Sequence, residues 1–438
     1  MHRIILAILA ASPALAQIPG SLTPEVHPLL PIQTCATRRG CKTINTKVVL
    51  DSQYRWHHVK GGYDPCVNNG VFNPATCKKA DECAANCEAE GVNYASYGIS
   101  TSGDSLTLQL FNPSGGLASP RVYLLKEDGY TYYKFRMLNK EFTYDVDVSN
   151  LPCGTNGALY FSEMSASGER NDKSNTAGAT YGTGYCDAQC PKQNFINGKA
   201  NFDYKYGACC QEMDIWEANS RATAFTPHPC ATRGLVKCTG KDCGAGSDRK
   251  DGICDMDGCD FNSYRLGVKN FYGRGSEFTI DTTKKMTVVT QFITDNGEDR
   301  GELVEIRRLY VQDGVVIANA AANITGLLNY DSISDDYCEK EVDVLGGSGT
   351  NELRGGSKVM GEAMERGMVL AMSLWWDNGS YMWWLDGKNP GDPESLRRGP
   401  CNTEVESTPQ YITANFKPSV VFSNIKLGDF GTTYGPQS

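Results

Sequence analysis

Eighteen cysteines, spread from Cys35 to Cys401, constrain this chain more than any other feature. The count is even and no paired C-x-x-C set occurs at thiolate–zinc spacing, so nine disulfides are expected and no metal. Cross-links at that density require an oxidising compartment. The first residues agree. "MHRIILAILAASPALAQ" joins a short positive start at His2 and Arg3 to an apolar run from Ile4 to Ala11 and a small-x-small cleavage site at Ala14-Leu15-Ala16. This reads as a secretory signal peptide over 1–16, too short to span a bilayer. No later stretch is long and apolar enough for a membrane span, so an extracellular protein is expected. The sequons Asn323-Ile324-Thr325 and Asn378-Gly379-Ser380 make Asn323 and Asn378 candidate glycosylation sites.

The net charge of −9 and a pI near 5.2 argue against a polyanion partner such as nucleic acid. They suit an uncharged substrate. Length alone would allow two or three domains, but the chain carries no Pro/Ser/Thr-rich linker, no low-complexity tract and no repeat. One domain over 17–438, without an appended binding module, is expected. Its local patterns are strand-like. "SLTLQLF" (105–111) and "EFTYDVDV" (141–148) alternate apolar and polar residues. Asp128-Gly129 and Asp313-Gly314 each lie between β-prone runs, a hairpin signal. "KMTVVTQF", "MVLAMSLWW" and "SVVFSNIKL" read as further strands, the middle one largely buried. One helix is predicted, Lys358 to Arg366, with Ser357 as N-cap and Gly367 as stop. Many strands, many turns and few helices indicate an antiparallel sandwich with long loops.

Residues 207–220, "GACCQEMDIWEANS", hold the candidate chemistry. A strand puts Glu212 and Asp214 on one face, but strict alternation sends Glu217 to the other. On a helix, Glu212 and Glu217 would diverge by about 140°. A bulge between Asp214 and Glu217 would restore a common face. The bland alternative is a solvated acidic edge strand. Against it, Met213, Ile215 and Trp216 make the surroundings apolar, and crowded carboxylates with little water are driven to different protonation states. A retaining glycosidase needs that division: one acid to protonate the leaving oxygen and one carboxylate to attack the anomeric carbon. Cys209 and Cys210, adjacent and poorly placed to bond each other, could pair with Cys186 and Cys190 and clamp the acidic strand.

"EMDIWEANS" behind "CC", with "LPCGTNGALYFSEM", "GTGYCDAQCP", "TPHPC", "FTIDTTKKMTVVTQF", "GMVLAMSLWW" and "VVFSNIKLGDFGTT", resembles glycoside hydrolase family 7, the fungal cellulases, from about Thr23 to Thr433. The resemblance implies an all-β, concanavalin-like jelly roll of two curved antiparallel sheets, with few short helices and disulfide-stapled loops. Its concave face would hold a cellulose-binding cleft. It implies a cofactor-free monomer that hydrolyses β-1,4-glucosidic bonds of cellulose or soluble β-glucan with retention. By the same resemblance Glu212 is the nucleophile, Glu217 the acid/base, Asp214 the residue orienting the nucleophile and His228 a supporting histidine. Trp56, Trp375 and Trp384 become sugar platforms, while Trp376 and Trp383 keep the default of core residues. Asn156, Tyr160, Tyr185, Asp187 and Gln189 would line the cleft near the scissile bond; Arg249, Asp257, Arg265 and Arg398 would contact the leaving side. The implied disulfides are Cys35–Cys41, Cys66–Cys87, Cys77–Cys83, Cys153–Cys401, Cys186–Cys210, Cys190–Cys209, Cys230–Cys254, Cys238–Cys243 and Cys259–Cys338.

The family contains exo-acting cellobiohydrolases with roofed tunnels and endoglucanases with open clefts. Between Asn201 and Cys209 stands only "FDYKYGA", too short to bridge a polysaccharide at roughly 3.3–3.6 Å per residue and return. The endoglucanase branch is therefore expected. The longer "GAGSDRKDGICDMDGCDFNSYR" leans towards the reducing-end cellobiohydrolase alternative. "DMDGCD" lacks the spacing and terminal glutamate of a calcium loop and reads as turn and subsite chemistry. A non-catalytic glucan-binding lectin is the remaining class, and it has no use for an acid pair.

Overall fold

Alternating and apolar runs alike become strand at Ser105–Gln109, Lys140–Asp147, Met286–Thr294, Met368–Trp376 and Ser419–Gly428. The computed structural model describes residues 17–435 apart from 69, 172–173 and 245–248, so the signal segment 1–16 lies outside the described residues. A seven-stranded and a ten-stranded sheet carry the fold. Across the first, the strands run Thr223–His228, Glu212–Ala218, Thr155–Ser162, Met368–Trp376, Arg121–Lys126 and Thr46–Leu50, each antiparallel to its neighbour. Lys134–Phe135 adds to the side of Met368–Trp376. The second sheet is ordered Val315–Ala318, Leu303–Gln312, Met286–Thr294, Lys140–Asp147, Ser419–Gly428, Ser105–Gln109 and Ile99–Ser102, with Ile32–Ala36 added in parallel to Ser419–Gly428.

The main core fills the space between the sheets. Leu370, Met372 and Leu374 point into it, while Val369 and Ala371 of the same strand join a second cluster with Val49, Tyr123, Ala158 and Tyr160 on the opposite face. The seven-stranded sheet is thus covered on both sides, which is why "MVLAMSLWW" is a continuous apolar run instead of an alternating one. At Asp313-Gly314 the chain turns with φ of 52° and 78°, the left-handed pair that a tight hairpin needs.

Nine disulfides join all eighteen cysteines in the pairs named above. Cys153–Cys401 spans 248 residues, the longest separation of the nine. Closing long loops in the unfolded chain is worth about 2–4 kcal/mol per bridge.

The helix expected over Lys358 to Arg366 needs correction at its start. It spans Gly356–Arg366, beginning at a left-handed Gly355, and Ser357 sits inside its first turn. The Ser357 N–H is satisfied by Asp335 Oδ1 at 2.9 Å, so a side chain remote in sequence does the capping. Asp335 itself opens a second helix of equal length, Asp335–Leu345, capped by Ser334, whose hydroxyl accepts from Tyr337 N–H at 3.2 Å. Both sequons present an exposed asparagine.

Candidate active site

The acidic strand Glu212–Ala218 contains the bulge its chemistry requires. Against Thr223–His228 its register runs Glu212 to His228 and Asp214 to Thr226, then skips to Glu217 opposite Ala224. Two consecutive residues, Ile215 and Trp216, face the intersheet core together with Met213 and Ala218. That doubled inward step returns Glu217 to the face of Glu212 and Asp214. The strand is not a solvated edge: Glu212 and Asp214 are each 6% exposed.

Cross-strand neighbours complete the face. Asn156 and Tyr160 share one side of Thr155–Ser162 by alternation, and Asn156 is paired in register with Trp375. The Asn156 amide donates to Glu217 Oε1 at 2.9 Å and its carbonyl accepts from Ala218 N–H at 3.1 Å, so one side chain fixes both Glu217 and the strand bearing it. Trp375 stacks against Trp384 with centroids 6.0 Å apart and planes 30° apart. Trp384 is carried by the short helix Trp383–Asp386, entered through left-handed Tyr381 and Met382. Trp56, more than a third exposed, stands apart beside His58 and Tyr63. Trp376 packs edge-on against Phe111 at the core and Trp383 is half-buried.

The disulfide clamp has a specific consequence. Cys186–Cys210 and Cys190–Cys209 bind the loop carrying residues 187–189 to the chain entering the acidic strand. Between them, Ala188 N–H donates to Glu212 Oε2 at 2.9 Å. Neighbouring Asp187 accepts from Tyr185 and from Gln189 N–H, and the Tyr185 and Tyr160 hydroxyls are 2.8 Å apart. Exposed Gln189 sends its amide to the Met256 carbonyl at 2.7 Å. Beneath Tyr185 lies the Arg121 guanidinium, 3.4 Å from the ring centroid and paired with Asp51.

Burial and crowding raise both glutamates. Burial pushes the Glu212 carboxyl well above the ordinary range, and the charges of Asp214 and Asp187 add to the shift, opposed by Ala188 N–H. Glu217 is raised to about 8 by burial and by Asp214, with His228 and the Asn156 amide pulling it back. Glu217 is half-buried, more exposed than Glu212. Asp187 is raised to about 6, chiefly by burial. Burial alone would lower His228, but the Asp214 hydrogen bond and charge outweigh it and bring the ring to about 9. His228 is therefore a cation at neutral pH, its Nε2 3.0 Å from Asp214 Oδ2 and its Nδ1 donating to the Asp255 carbonyl at 2.8 Å.

On the far side, Arg249 pairs with Asp257 in a largely exposed contact. Arg265 and Arg398 converge on Asp260, at 2.7 Å and 2.6 Å, and Arg265 also reaches Glu341 at 2.6 Å. Asp260 is held down to about 2; its burial is more than offset by the two guanidiniums. Sequence reasoning does not single out Asp260, Ala188, Asp255 or Arg121. "DMDGCD" contains the first as an unexplained acid; a backbone N–H and an arginine under a ring leave no local signal.

The model of glycosyl hydrolase family 7 matches residues 19–434. The chain belongs to that family. It is 51% identical over 417 residues to "Probable endo-beta-1,4-glucanase celB" of Aspergillus terreus, covering 94% of this chain and 93% of that one. It is 48% identical to the endo-beta-1,4-glucanase celB of Aspergillus oryzae, covering 94% of each. Among solved structures, the family 7 cellobiohydrolase of Daphnia pulex superimposes with a TM-score of 0.89 at 42% identity, over 95% of this chain and 100% of that one. The Humicola insolens endocellulase EGI does so with a TM-score of 0.85 at 43% identity and the same coverage. The family 7 fold thus accommodates exo- and endo-acting members alike. The distinction must come from loops, and here Phe202–Tyr204 is a tight turn in which Asp203 and Tyr204 take left-handed φ of 53° and 47°. Asn201 brackets that turn, donating to the Tyr206 carbonyl at 2.8 Å and accepting its N–H at 3.0 Å. The segment folds back on itself.

Proposed function

We propose that the protein is a secreted, monomeric endo-β-1,4-glucanase acting on internal bonds of cellulose and related β-glucans by retaining double displacement. The reading rests on the bulged strand, which gathers Glu212, Asp214 and Glu217 on one largely desolvated face beside Trp375 and Trp384. A flat indole covers the apolar face of a glucose ring, which suits an uncharged polymer. Glu212 attacks the anomeric carbon and forms a glycosyl–enzyme ester as Glu217, protonated, delivers its proton to the leaving oxygen. Glu217, now ionised, takes a proton from water, which displaces Glu212. Asp214, held in place by its contact with His228, stands beside Glu212 to orient it. Ala188 N–H favours the ionised nucleophile.

The self-bracketed Phe202–Ala208 segment and the names of the relatives support internal cleavage. The test sets viscosity of soluble carboxymethyl cellulose against reducing ends released. A steep early fall in viscosity per bond cut is expected. Cellobiose release at nearly constant viscosity would instead assign the protein to the chain-end mode, for which the extended Arg249–Asp257 loop would then be the structural basis.

A further inference from the structure

Leu303–Gln312 belongs to the sheet opposite the acids, and its inward row reads Leu303, Ile306, Arg308, Tyr310, Gln312. A charged residue in the middle of that row is unexpected. Arg308 is fully buried and crosses the intersheet core. Its guanidinium lies 4.4 Å from the centroid of the Phe225 ring, with Trp216 and Tyr310 at 5.9 Å and 5.8 Å. One Nη donates to the Ile215 carbonyl and the Tyr310 hydroxyl lies within reach of the guanidinium, but no carboxylate pairs with it among the described residues. A buried cation so poorly compensated is costly, and an apolar residue of the same volume would commonly be more stable there.

The position of its hydrogen bond to the Ile215 carbonyl gives the reason. Ile215 lacks a register partner on both flanks of the acidic strand: Asp214 and Glu217 are the paired residues towards Thr223–His228, Met213 and Trp216 towards Thr155–Ser162. Its carbonyl is at the bulge itself. The two rings of the bulge region that contact the guanidinium, Trp216 and Phe225, are the second bulged residue and the single residue opposing the bulge. We propose that Arg308 is a positioning residue that pins this bulge from behind and so sets where Glu217 stands relative to Glu212. The inference rests on Glu217 as acid/base.

A residue that positions the proton donor has a signature that loss of stability lacks. A dinitrophenolate leaves without protonation, whereas a sugar alkoxide does not. Arg308→Met is expected to lower kcat/KM on cellopentaose by about 10²-fold, the effect of a displacement near 1 Å. On 2,4-dinitrophenyl β-cellobioside the loss should be far smaller. Glu217→Gln serves as reference. If Glu217→Gln shows this leaving-group dependence and Arg308→Met impairs both substrates equally, or neither, the inference is overturned while the acid/base assignment stands. If Glu217→Gln itself shows no such dependence, the assignment fails and the inference with it. Should Arg308→Met not fold, Arg308→Lys, which keeps the cation but loses the planar fork, takes its place on the same two substrates. A loss confined to cellopentaose then supports the inference, and an equal loss on both, or none, overturns it.

Discussion

Glu212→Gln should abolish hydrolysis of cello-oligosaccharides, lowering kcat by at least about 10⁴-fold, while leaving their binding nearly unchanged. The substitution keeps shape and the acceptor for Ala188 N–H but removes the atom that attacks. In the proposed reading binding is carried elsewhere, by the stacked Trp375–Trp384 pair and the polar groups beyond it, so calorimetry should report an affinity within a few-fold of the parent. Retained turnover would remove Glu212 from the role of nucleophile.

Glu217→Gln should cost about 10²–10⁴-fold on unactivated oligosaccharides, and its effect on the pH profile is the more telling result. In the parent, Glu217 must be protonated for the first step, and its pKa is raised to about 8. Protonated Glu217 is therefore present at acid and neutral pH and is lost as pH rises through about 8. The acid limb belongs to Glu212, which must be ionised to attack and whose pKa is itself raised. The glutamine variant cannot titrate, so the alkaline limb of kcat/KM measured on a cello-oligosaccharide, whose leaving group needs the proton, should flatten. His228, raised to about 9, remains charged across most of that range and does not impose the limb. A limb unchanged in the variant would assign it to another group, with Asp187 the nearest candidate.

Much of this site is legible in the sequence because the chemistry itself constrains the backbone. Glu212 and Glu217 are five apart, neither regular strand nor helix can bring them to one face, and a bulge is the remaining solution; the register skip between Asp214 and Glu217 is that solution. The buried strand Met368–Trp376 is likewise recognisable, since a continuous apolar run needs cover on both faces. What stays hidden depends on contacts between residues far apart in the chain. Arg308 meets Ile215 across 93 positions and two sheets. Ala188 serves Glu212 through a backbone N–H that any residue but proline would supply. The start of the helix Gly356–Arg366 escapes a local reading because its cap, Asp335, lies in another helix. Local pattern cannot report a partner that only the fold delivers.

The central claim is that two carboxylates on one bulged strand serve the same glycosidic bond, Glu212 as nucleophile at the anomeric carbon and Glu217 as acid/base at the leaving oxygen. Proton NMR of the first product formed from a cello-oligosaccharide tests it most directly, before mutarotation mixes the anomers. Retention predicts that the new reducing end appears first as the β-anomer, with α growing in later. An α-anomer formed first would mean inversion by direct attack of water, and would contradict the assignment of Glu212 as nucleophile.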